Sequence, residues 1–161
     1  MAGRGPRTQE LAALKADWVI LSAKALSELP TTAARIRSTG RAKIAWSAYL
    51  AYNEQERRRV LRHFLYMAVD APAEIRAAAG LDDEKVEVVK ESMLAGRTED
   101  AAGLLPESLI DLFAVAGSPS ECAQKIGALR SYFDLFMLPL NDEASAEEHI
   151  RVSAGILRSA E

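Results

Sequence analysis

The sequence predicts an α/β fold in which parallel strands alternate with helices. Three observations predict it. Short continuous apolar runs, "DWVILS" and "DLFMLPL" among them, have the composition of strands buried on both faces, without the alternation of a half-solvated sheet. Stretches with apolar residues at helical spacing lie between the runs, so strands are joined by right-handed crossovers and pair in parallel. Late in the chain, two helix starts carry capping boxes, Ser118 with Glu121 and Ser145 with Glu148.

Taken in order, the chain opens on Gly3, Gly5 and Pro6, a glycine–proline turn running into a helix from Thr8 to Lys15, where Leu11 and Leu14 recur at helical spacing. Such a turn reads in two ways. It is a plain helix start, or it receives an anion, because unpaired N–H groups and the positive end of the helix dipole converge there. Trp18, Val19, Ile20 and Leu21 make the first strand, within Asp17 to Ser22. From Ala23 to Ser38 the pattern is helical again, interrupted at Pro30, with Thr31 or Thr32 capping a second segment that Gly40 ends.

Ala42 to Tyr52 is rich in aromatic and small residues on both alternating faces and predicts a second strand buried on both sides. Asn53 leads into the strongest helix, whose apolar stripe is Val60, Leu61, Phe64, Leu65 and Ala68. Arg57, Arg58, Arg59 and Arg62 point mostly away from that stripe and read as a solvated face. Residues 70–112 differ: short helical patterns broken by Pro72, Gly80, Gly96, Gly103 and Pro106 predict a helical insertion. "FAVAG", Phe113 to Gly117, is a short strand ahead of the helix that Ser118 caps, with Pro119 at its first position. Asp134 to Leu140 predicts a third buried strand, and a last helix runs from Ser145 to about Ser159. Three clear strands in 161 residues are few for so many helices. A (β/α)8 barrel typically takes about 250 residues, so the chain reads as one domain, 1–161, forming the last part of a TIM barrel.

Composition narrows the function classes. With 49% hydrophobic and 27% charged residues and no low-complexity tract, the chain is of ordinary globular type. No apolar run approaches the roughly 20 residues of a membrane span and no signal-peptide core is present, so a cytoplasmic location without membrane contact is expected. A formal charge of −3 argues against a nucleic-acid partner. Cys122 stands alone in a predicted helix and takes a small apolar packing role. His63 and His149 have no second histidine at metal-ligand spacing and are expected at the surface. No nucleophile elbow, P-loop lysine or CxxC pair occurs, which leaves covalent catalysis and metal hydrolysis without support.

"GRGPRTQELAALKADWVILS" followed by "FAVAGSPSECAQKIGALRSYFDLFMLPL" resembles the luciferase-like monooxygenase superfamily, in particular its flavin- or deazaflavin-dependent oxidoreductases related to methylenetetrahydromethanopterin reductase. The matching stretches are Gly3 to Pro6, Ala16 to Ser22, Val115 to Glu121 and Phe133 to Leu138. Trp18 departs from the pattern, standing where the family often has glycine after Ala-Asp. The resemblance implies a barrel of which this chain holds strands six to eight, with FMN or the 8-hydroxy-5-deazaflavin coenzyme as cofactor and hydride transfer or oxygen insertion as reaction. It implies that Gly3, Arg4 and Gly5 offer backbone donors to the cofactor's phosphate region, with Arg7 and Thr8 in the following helical turn. Ser22 would lie at the carboxyl face of the barrel. The residues that contact the ring and supply acid–base groups would belong to strands one to five, so no catalytic residue is assigned. The partners implied are a small-molecule substrate and either a second copy or another chain supplying the remaining strands. The alternative is a non-catalytic partial-barrel subunit, because an open wedge leaves strand edges and an apolar sheet face to be covered by association.

Overall fold

The computed structural model describes residues 5–140 and 142–160. Helix α1, Pro6–Lys15, starts where Pro6 supplies a preset φ and Gly5 caps from an extended conformation. It buries Gln9, Ala12 and Ala13 and leaves Leu11 and Leu14 exposed, the reverse of what leucine spacing alone suggests. The alanine face lets another backbone come close. A Cβ at Gly40 would lie 1.9 Å from the Ala13 carbonyl oxygen, so only glycine fits there.

Strand β1, Trp18–Leu21, pairs in parallel with β2, Lys43–Ser47, placing Val19 beside Ile44 and Leu21 beside Trp46. On its other side β2 pairs in parallel with β5, Leu135–Met137, with Trp46 beside Phe136. Asp134 extends this ladder with its side chain: its carboxylate accepts the Ile44 N–H at 2.8 Å while its own N–H donates to the Ile44 carbonyl. Helix α2, Leu29–Thr39, connects β1 to β2 after a 3-10 turn at Leu26–Glu28. Pro30 does not interrupt α2, because it falls in the first turn, where no N–H is needed; neither Thr31 nor Thr32 is its cap.

The expectation of strands buried on both faces fails for β5 and holds only partly for β1. Val19, Leu21, Ile44 and Trp46 face a core built with α1, α2 and the two late helices; the Trp46 ring sits 5.2 Å from Phe133 and 5.3 Å from Phe136. On the opposite face Ala45 is buried, Trp18 and Ile20 are half-buried, and Leu135 and Met137 are 47% and 37% exposed. A parallel sheet is buried twice only when a layer covers each face. Here the helices cover one.

The single strand expected from Ala42 to Tyr52 divides after Ser47. Residues Leu50–Ala51 form β3, which pairs in parallel with β4, Val115–Ala116, the core of "FAVAG". Between β3 and β4 the chain is helical. Asn53 caps α3, Glu54–Leu61, by accepting the Glu56 N–H at 2.8 Å. The long helix expected there breaks into a 3-10 turn at Arg62–Phe64 and then α4, Leu65–Asp70. Four more helices follow: α5 (Ala73–Ala78), α6 (Asp83–Leu94), α7 (Thr98–Gly103) and α8 (Ser108–Phe113). They close a second core around Phe64, Val89, Leu109, Ile110 and Phe113.

Helix α9, Pro119–Leu129, begins as expected: Ser118 Oγ accepts the Glu121 N–H at 3.3 Å and Glu121 Oε2 accepts the Ser118 N–H at 2.7 Å. The second capping box does not form. Ser145 makes no side-chain cap for α10, Ala146–Ser159, because the chain enters that helix through a 3-10 turn at Glu143–Ser145 capped by Asp142. Among the described residues no helix is long and apolar enough to cross a membrane.

Candidate functional site

In parallel α/β architectures ligands collect at the carboxyl ends of the strands. The chain leaving β1 turns there through Ser22 and Ala23, and Ala23 holds the left-handed φ of 53°. A non-glycine residue in that region costs on the order of 1 kcal/mol, and here the turn sets Lys24 on the wall of a cleft.

That cleft has a volume of about 700 Å³. Its basic and hydroxylic wall comprises Gly5, Pro6, Lys24, Ser27, Thr31 and Arg35, joining the amino end of α1 to one side of α2. No described side chain caps α1, and its first turn has no acidic residue, so its leading N–H groups face outward with the helix's positive end. The charges on the wall are balanced. Lys24 Nζ lies 3.0 Å from Glu28 Oε1, and Asp70 adds a second carboxylate. Arg35 donates through Nη2 to the Oε1 of buried Gln9, while its Nε is buried without a hydrogen-bond partner among the described residues. An anion entering the cleft would therefore meet the open end of a helix between the Lys24 and Arg35 side chains.

The expected site residues divide. Gly5 lines the cleft. Arg7 and Thr8 are exposed in the first turn of α1 and do not line it; Ser22 is half-buried and does not line it, whereas the next residue, Ala23, does. Gly3 and Arg4 lie outside the described residues. Lys24 and Arg35 were not anticipated. Lys24 had a signal in the sequence, three residues past the end of a strand. Arg35 had none, since only the packing of α2 on α1 brings it to the same opening.

Other candidates resolve as follows. Cys122 is buried, its thiol 3.4 Å from the Val115 carbonyl and pushed up to about 11 by burial, an apolar packing role as expected. His63 is half-buried and stacks on Tyr49 at 4.9 Å. His149 is 1% exposed, against the surface position expected. Arg58 and Arg62 are exposed, but Arg57 and Arg59 are half-buried and reach Asp111 and Glu56, so the arginine face is only partly solvated. Among the described residues no group of three or more His, Cys, Asp or Glu is placed to hold a metal ion.

Comparison with known proteins bears on this arrangement. No curated protein matches the chain. Among solved structures, the coenzyme F420-dependent tetrahydromethanopterin reductase of Methanopyrus kandleri superposes with a TM-score of 0.75 at 21% identity, over 94% of this chain and 47% of that one. A long-chain alkane monooxygenase superposes with a TM-score of 0.55 at 18% identity, over 98% of this chain and 40% of that one. The chain thus spans less than half the length of the structures it matches, and the likeness is one of fold. A family model described as luciferase-like monooxygenase matches residues 1–134, a span that takes in α1, the cleft, the β1–β2 and β3–β4 pairings and the helices through α9. By that match, and on a fold that agrees with it, the chain belongs to the luciferase-like monooxygenase family.

Proposed function

We propose that the chain contributes the phosphate-binding side of a flavin- or deazaflavin-dependent oxidoreductase, holding FMN or the deazaflavin coenzyme in the cleft beside β1 while a small-molecule substrate is reduced, oxidised or hydroxylated. The observation that carries this reading is the convergence of the α1 amino end, Lys24 and Arg35 on one opening at the carboxyl end of a parallel strand. The residues fit such a group. A phosphate takes hydrogen bonds from backbone N–H groups at a helix start, and Arg35 Nε is a buried donor without an acceptor among the described residues. When bound, the cofactor ring supplies the redox chemistry. The chain's part would be to hold the ring's anionic tail: Gly5 and the α1 amides would donate to it, Arg35 and Lys24 would offset its charge, and Thr31 and Ser27 would offer hydroxyls, all of them lining the cleft or opening it. Gly3 and Arg4 would extend the same cradle, and Arg7, Thr8 and Ser22 would border it.

In this reading β1, β2 and β5 are the sixth to eighth strands of a barrel and residues 70–112 are a helical insertion. The face carrying Leu135 and Met137 is the barrel's interior, closed by strands from a second copy or another chain. That exposed face also favours a second reading, a partial-barrel subunit that acts through association alone. Titrating the purified chain with FMN and, separately, with the deazaflavin coenzyme, with light scattering for size, tests both. Saturable quenching that Arg35→Gln weakens supports the first reading. Association without quenching supports the second.

A further inference from the structure

Among the described residues, one carboxylate and one imidazole are deeply buried away from the cleft, where α3 meets α10. Glu56 is 2% exposed and His149 is 1% exposed. His149 Nδ1 stands 3.2 Å from Glu56 Oε2, within ion-pair reach though off the line of a straight hydrogen bond. Arg59 Nη1 donates to the other oxygen of Glu56 at 2.5 Å, and Arg59 Nε is 3.7 Å from Asp142 Oδ2. The Tyr52 ring stacks on His149 at 5.4 Å, inclined by 23°. His149 Nε2 is buried and has no hydrogen-bond partner among the described residues.

This geometry suits a neutral imidazole. An imidazolium carries N–H donors on both nitrogens and needs an acceptor for each. One carboxylate faces Nδ1, already shared with Arg59, and among the described residues none receives a proton on Nε2. We propose that Glu56, Arg59 and His149 form an acid-released latch that fastens α10 to α3 at the carboxyl end of the sheet.

The groups facing His149 fix the sign. Burial holds its pKa below the ordinary histidine value; Glu56 pulls it back up and Arg59 opposes that. From the same side the Tyr52 hydroxyl is pushed up to about 12 by burial and by Glu56 and Glu148, so it stays neutral. Asp142 stands beyond Arg59. With its native pKa depressed, His149 takes up a proton more readily when α10 is released than when it is fastened. The latch is fully closed above the ordinary value of about 6.5 and loosens as pH falls from there toward the native value. One proton allows at most about a tenfold loss of closure per pH unit. Release uncovers Val152, Ile156 and Leu157, through which α10 packs on the sheet's core.

Hydrogen exchange of the full chain between pH 7.5 and 5.0, corrected for intrinsic rates, tests this. Protection in 146–159 should fall below about pH 6.5 by up to roughly tenfold per unit while protection in α6 stays level. His149→Gln should flatten the α10 profile. Parallel loss in both helices, or an unchanged slope in the variant, overturns the latch. Should the variant not fold, titration of the His149 ring by nuclear magnetic resonance in the native chain decides: a midpoint below the ordinary value supports the latch, and one at or above it overturns it.

Discussion

Replacing Gly40 by alanine should damage the fold more than any other single methyl addition at a described glycine. The new Cβ would lie 1.9 Å from the Ala13 oxygen, 2.4 Å from the Ala13 carbonyl carbon and 3.0 Å from the Leu14 nitrogen. Ordinary contact begins near 3.4 Å, so the α1 backbone must retreat by about 1.5 Å. Backbone dihedrals are not the obstacle, since Gly40 is extended at φ −158° and ψ −165°. The obstacle is a helix backbone that cannot swing aside as a side chain would, and moving it opens the seam that Gln9, Ala12 and Ala13 fill. Overpacking typically costs 1–3 kcal/mol, and a clash with rigid backbone belongs at the upper end, about 3 kcal/mol. That is roughly a hundredfold in the folding equilibrium and, for a chain of this size, a Tm lower by about 6–12 °C. Urea unfolding followed by circular dichroism measures it as a lower midpoint at constant slope. Gly155 supplies the control: it lies inside α10 with open space around its Cβ position, so Gly155→Ala should stabilise by about 0.5–1 kcal/mol. A Gly40→Ala protein within about 0.5 kcal/mol of the parent would refute the steric argument.

Three further outcomes are expected. Arg35→Gln and Lys24→Gln should each weaken binding of a phosphate-bearing cofactor by about tenfold, Arg35 more, because Lys24 already has Glu28; equal affinity in fluorescence titrations would remove the cleft from the site. Ser118→Ala should lower stability by about 1 kcal/mol, whereas Ser145→Ala should leave it nearly unchanged, a contrast that thermal melts can read directly. Acidification should also weaken the Ser118 cap, since hydrogen bonds from Ser118 hold the Glu121 carboxyl below the ordinary range: its contribution is present above the unfolded value and is lost as pH falls through the folded one, a dependence that Glu121→Gln should abolish in melts.

How far the sequence foretold this structure follows from the range of the forces involved. The first strand and the Ser118 cap were legible because an apolar run and a capping box are local signals. The exposure of Leu135 and Met137 was not, because burial of a sheet's second face depends on what lies opposite. Leu11 and Leu14 mislead for a related reason: Gly40 draws α2 toward α1, and the seam takes up Gln9, Ala12 and Ala13 in place of the leucines. In the cleft, Gly5 was anticipated from its turn, but Arg35 arrives from 30 residues along the chain by helix packing. His149 looked like a surface residue because its partner, Glu56, sits in what reads as a charged helix, and only the docking of α10 shows that this carboxylate turns inward.

The division of the middle strand has a consequence for how the chain tolerates insertion and deletion. Leu50 packs in the core that contains Trp46, while Ala51, the next residue, packs in the core that contains Phe64. Adjacent strand residues point to opposite faces, so β3 is a partition with one core on each side. Losing one residue at Ala48 or Tyr49 would leave the β1–β2–β5 ladder in register and set β3 one step out of phase. Leucine and alanine would then trade compartments, one overfilled and the other left with a void. Length variation at this point is forbidden by phase, while the exposed stretches between the helices further on are free to vary.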